Sequence, residues 1–175
     1  MKIQDLIHLK GEVLIQAVDI EGNISTIVED NNLIVSYGRN NICNFLTNTI
    51  GSSYIYDVSF GTGGTITGNP NVALSVNSDE VSVISPITGL TNGTDYLFTA
   101  TPETSPSPRA IFSITIPATT LAGQTDITQL NGKALSEMAL MLNTSPTANA
   151  FAIKRFPSIS KSDTISLIIT WVIYL

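Results

Sequence analysis

Apolar side chains recur at every second position along much of this chain, and the runs are short, each ended by a cluster of Gly, Pro, Asn or Ser. Alternation with period two puts one set of side chains on one face of an extended strand and the intervening set on the other, so such runs fold as strands with a buried face. Glu12–Ile20, Ile24–Val28, Tyr54–Phe60, Tyr96–Ala100, Ala110–Ile116, Lys133–Leu142, Ala150–Phe156 and Ser162–Leu175 read this way. Glu21-Gly22-Asn23 marks a hairpin, and Asn92-Gly93 marks a second tight turn. The alternation slips near Glu137, as it does at a β-bulge. The final run is β-branched and aromatic enough to be a central strand buried on both faces. Gly61-Thr-Gly-Gly-Thr65 opens a long irregular stretch, and the prolines of Thr101–Arg109 make that segment an exposed loop.

One segment breaks the period. Val35, Ile42, Phe45 and Leu46 follow one another at spacings of seven, three and one, which puts them on one face of a helix over Ser36–Thr47. Gly38 and four Asn residues are poor helix formers, so packing must hold it. Charged residues are 13% of the chain, about half the usual share, with Ser, Thr and Asn in their place, a composition that suits strands and turns. The expected fold is therefore mainly β: an antiparallel β-sandwich, jelly-roll-like, with one short packed helix. At 175 residues it is one domain over 11–175, preceded by an N-terminal arm over 1–10.

The net charge is −6, with eight Lys plus Arg, which disfavours specific nucleic-acid binding. The longest apolar stretch, Ile165–Leu175, is half of what a membrane helix needs, so no membrane association is expected. A lone cysteine suits synthesis in a reducing cytoplasm.

The residues offer little chemistry. His8 is the single histidine and lies in the arm, Cys43 reads as a small buried hydrophobe on the helix, and no cofactor or metal is expected. The glycine cluster lacks the Gly-Lys-Ser/Thr ending of a phosphate loop. Glu29-Asp30 and Asp79-Glu80 are sequence neighbours whose side chains diverge, and Asp57 lacks the regular oxygen spacing of a calcium loop. The chain is expected not to be an enzyme. Lys133, Lys154, Arg155 and Lys161 gather half of the basic residues near the C-terminus; they read either as a partner interface or as guards of a sheet edge.

Several segments resemble small virion structural proteins of tailed bacteriophages: Asn32-Leu-Ile-Val-Ser-Tyr-Gly-Arg39 leading into the helix, and Val58-Ser-Phe-Gly-Thr-Gly63 before a variable loop. Asn131–Glu137, Met138–Met141, Phe151–Phe156, Ile159–Lys161 and Leu167–Trp171 complete the resemblance. It implies a β-sandwich subunit of a virion, made in the host cytoplasm and repeated as a homo-oligomer among other virion proteins in the neck, collar, tail or baseplate. Capsid decoration or head-fibre proteins are the alternative it leaves open. Independently, a sandwich can host a carbohydrate- or host-binding site, for which Tyr54, Tyr56 and Tyr96 are the available aromatic platforms. The stretch Gly64–Tyr96 departs from the pattern and is expected to be an exposed region adapted to neighbours.

Overall fold

The computed structural model describes residues 9–47, 53–104, 107–119, 128–142 and 149–174. His8 and nearly all of the expected arm lie outside them; Leu9 packs against the core and Lys10 opens the first strand. β1 (Lys10–Asp19) and β2 (Ile24–Ile34) form a hairpin. Its turn is set by the Asp19 carboxylate, which accepts hydrogen bonds from the backbone N–H groups of Glu21 and Asn23, and by Gly22 at φ +85°. The helix α1 follows over Ser36–Thr47, as its apolar spacing predicts. Next come β3 (Ile55–Gly61), the short hairpin β4 (Thr65–Ile66) and β5 (Asn69–Ala73), β6 (Leu97–Glu103), β7 (Arg109–Ile116), β8 (Ala134–Leu142), β9 (Ala150–Ser160) and β10 (Ile165–Tyr174).

The expected mainly β, antiparallel fold with one short helix is present. Where the jelly-roll expectation has two separate sheets, eight strands join in a single antiparallel sheet of order β3-β8-β9-β2-β1-β10-β7-β6 that curls into a nearly closed, barrel-like shape. The strand that makes this possible is β2. Along most of its length it pairs with β1, and at its end Leu33 and Ile34 pair with Ile153 and Ala152 of β9. A bulge at Ile27, opposite Ile15 and Gln16, lies within the stretch that pairs with β1.

The inner faces enclose one core that includes Val13, Ile15, Phe60, Phe112, Ile114, Leu140 and Trp171, all at most 5% exposed. β10 alternates strictly: Leu167, Ile169, Trp171 and Ile173 are buried and the residues between them are half-exposed. The expectation that it is buried on both faces is thus corrected; among the described residues no second layer covers its outer face. The doubly buried strands are β8 and β9. Their outer face is covered by the excursion between β3 and β6, where Val83 joins Val35, Ala139, Met141, Ala150 and Ile153 in a second apolar cluster. That excursion contains the β4–β5 hairpin and a long cover segment; Val81 and Val83 are not in a strand, and the expected Pro-rich loop is partly strand, since β6 runs on to Glu103.

Every sheet border carries a device that hinders addition of a further strand. Along β3, Ser85 and Ile87 bond to Thr62 and Phe60 through the backbone. On β6, the Phe98 N–H points away from β7 and donates to Asn92 Oδ1 at 3.0 Å. Strand alternation places Ala100 and Pro102 on that same outward side, and Pro102 has no N–H to offer. The stretch of β2 that leaves β9 carries the bulge and the charges of Glu29 and Asp30.

Candidate functional site

The four basic residues singled out in the sequence do not form one patch. Lys133 is exposed, whereas Lys154, Arg155 and Lys161 are 8%, 5% and 2% exposed. Each buried cation is matched inside the chain, as burial of charge requires. Lys154 Nζ bridges the point where β2 and β9 diverge, donating to Asp30 Oδ2 at 2.6 Å and to the Asn31 carbonyl at 2.8 Å. Its hydrogen bond holds the Asp30 carboxyl below the usual range, with the Asn31 N–H contributing.

Arg155 and Glu137 tie the excursion to the sheet. Glu137, fully buried beside the β8 bulge, accepts backbone N–H bonds from Gly63 (3.0 Å), Ile84 (2.9 Å) and Ser85 (2.9 Å). Arg155 Nε stands 3.5 Å from Glu137 Oε2, while its two terminal nitrogens reach the Ser75 carbonyl and both oxygens of Glu80. Gly64 lies so close to the strand that an added Cβ would fall 2.1 Å from the Ser136 carbonyl oxygen. The stretch Gly64–Tyr96 is exposed over most of its length, as expected, and these bonds fasten it to the sheet as a cover.

Lys161 donates to Asn131 Oδ1 and the Ser162 carbonyl. Burial lowers its ammonium from 10.5 to about 8, against an opposing pull from Asp163. A lysine whose folded pKa lies below its unfolded one costs stability while both states are protonated, and the cost fades as pH rises from about 8 to 10.5. The expected result is a gain of order 2 kcal/mol across that window that is absent in Lys161→Met, measured by urea unfolding at a series of pH values. Equal pH slopes for the two proteins would refute it.

What remains accessible is the outer face of β1, β10, β7 and β6. Register places Thr170, Ser113 and Thr99 in one row across the strands, with Val172, Ile111 and Thr101 on one side of it and Ile168, Thr115 and Leu97 on the other. These nine side chains are half-exposed or exposed and none can ionise. On β1, Leu14 and Gln16 extend the face. Charges gather at one rim and neutralise one another: Lys10 pairs with Glu12, the Tyr174 hydroxyl donates to Glu12 at 2.8 Å, and Arg109 pairs with Glu103. The hydrogen bonds from Lys10 and Tyr174 hold the Glu12 carboxyl below its ordinary range. In a chain of net charge −6, an uncharged sheet face with half-exposed aliphatics is the kind of surface that meets protein.

A second apolar feature is the end of α1. Gly38 packs against the Phe151 carbonyl, and Ile42 reaches the core, but Phe45 and Leu46 on the same stripe are each 65% exposed. Cys43, expected to be buried, is exposed. Of the tyrosines weighed as glycan platforms, Tyr96 is buried, packing edge-on against Phe60 and donating to Asp57 Oδ1 at 2.6 Å. Burial, reinforced by that hydrogen bond, raises its phenol. Tyr56 is half-buried and Tyr54 is exposed.

Among the described residues, no group of three or more His, Cys, Asp or Glu is placed to hold a metal ion, and no helix is long and apolar enough to cross a membrane. No family model, curated protein or solved structure matches this chain.

Proposed function

We propose that this chain is a non-catalytic structural subunit of a tailed-phage virion, present in repeated copies in the neck, collar, tail or baseplate and acting through protein–protein contacts. The observation that carries the assembly part of this reading is the uncharged grid centred on Ser113 on the outer face of β10, β7 and β6, accessible on a chain whose sheet borders are guarded against strand addition. The virion part rests on the resemblance of the segments around Asn32, Val58, Asn131 and Phe151 to phage structural proteins. In this reading the halves of the sheet that meet at β2 act as the two layers of a sandwich: one layer is covered by its own excursion, and the other is left open to a neighbour.

The test is to purify particles from the source of the sequence, identify their proteins by mass spectrometry, and locate this chain by cryo-electron microscopy. The expected result is a stoichiometric component at a symmetric position, in the neck, tail or baseplate rather than on the capsid lattice. A chain absent from the particles, with particles assembling normally when its gene is deleted, would overturn the proposal.

A further inference from the structure

Resting on the assembly reading, we infer that the outer face centred on Ser113 packs face to face against the same face of a second copy of this chain, related by a two-fold axis.

The choice of occupant follows from charge and from the state of the sheet borders. A partner recognised by opposite charge would need ionisable groups to meet, and the three-by-three grid centred on Ser113 has none. The rim charges are already paired within the chain, Lys10 with Glu12 and Arg109 with Glu103, so the face presents both signs in balance and asks for no compensating partner. Two such faces can meet although each copy carries net −6, because no carboxylate lies within the grid and Glu12, beside it on β1, is paired with Lys10. Strand addition across β6 is hindered by Asn92 and Pro102, which leaves face-to-face stacking as the way to bury Leu97, Ile111, Ile168 and Val172. Two sheets stack in this manner about 10 Å apart with strands inclined by roughly 30°, and an isologous contact needs no second kind of surface.

Size sets the expected strength. Four strands and five residues along each give a flat footprint of roughly 19 by 17 Å, about 320 Å² per copy before side-chain relief. That is at the small end of specific interfaces, below about 1,200 Å² in total, and fits a reversible dimer that a symmetric particle strengthens by holding many copies together.

The test is sedimentation equilibrium of the purified full chain from micromolar to near-millimolar concentration, with Ser113→Glu and Ser113→Lys as variants and Asn44→Glu on α1 as a control. Ser113 is exposed on β7, so a longer side chain there has room in the isolated fold, and circular dichroism checks that each variant melts as the wild type does. The expected results are monomer–dimer exchange for the wild type and the control, loss of at least tenfold in association for either Ser113 variant alone, and recovery when the two are mixed, since a two-fold axis near this residue brings Glu against Lys. A wild type that stays monomeric over the whole range, or association that ignores both Ser113 variants, overturns the inference. The particle experiment is separate: a monomer found inside a virion would sink this contact and leave the virion reading standing, and a dimer from a chain absent from particles would do the reverse.

Discussion

Replacing Glu137 by Ala is expected to lower the stability of the fold by about 3–5 kcal/mol, the range for removing one partner of a buried ion pair. The variant leaves three part-buried N–H groups, of Gly63, Ile84 and Ser85, without their acceptor, and it strips Arg155 of the carboxylate beside its Nε. For a chain of this size that corresponds to a melting temperature lower by roughly 10 °C. Because these bonds fasten the cover to β8, limited proteolysis should cut between Gly61 and Ile87 in the variant well before it cuts there in the wild type. Glu137→Gln, which keeps an acceptor oxygen and loses the charge, should fall between the two. Melting of Glu137→Ala within about a degree of the wild type would show that the polar knot does not hold the cover.

The second large effect concerns Gly38, where two forces oppose each other. Helix propensity alone predicts that Gly38→Ala stabilises by about 1 kcal/mol. The new Cβ, however, would lie 2.2 Å from the Phe151 carbonyl oxygen, and that oxygen also accepts the Val35 N–H at 3.2 Å. The obstacle is backbone, so the helix must withdraw from β9. A net loss of about 2–3 kcal/mol is expected, as for other overpacked sites, and chemical denaturation of the two proteins decides the sign.

Local pattern made a good part of this fold legible. The period-two runs marked the main strands, the spacing of Val35, Ile42, Phe45 and Leu46 marked α1, and the slip near Glu137 marked the bulge between Leu135 and Glu137 in the β8–β9 register. What pattern could not convey is which surface a side chain finally meets. Arg155 and Lys154 look like edge guards or a binding patch until Glu80, Glu137 and Asp30, all distant in sequence, are brought to them. β10 is apolar on both faces in sequence, yet only tertiary structure shows that this chain covers one of them and covers both faces of β8 and β9 instead. Likewise β2 reads as five residues of alternation but runs to Ile34, because its polar second half is held by two different neighbours. The signal for the proposed contact face lies in the aliphatic residues Ile168 and Val172 of β10, which are half-exposed.

The pairing of β1 with β10, running from Lys10↔Tyr174 to Asp19↔Ile165, also sets a timetable for the molecule. During synthesis the β1–β2 hairpin emerges before the other strands of this sheet, and one side of β1 has no partner until β10 has emerged. Its apolar inward residues must therefore wait through translation of β2 to β9, a span in which a nascent β protein is open to wrong pairing. The pairing joins strands far apart in sequence, so folding should be slow for a domain of this size, on the scale of milliseconds to seconds.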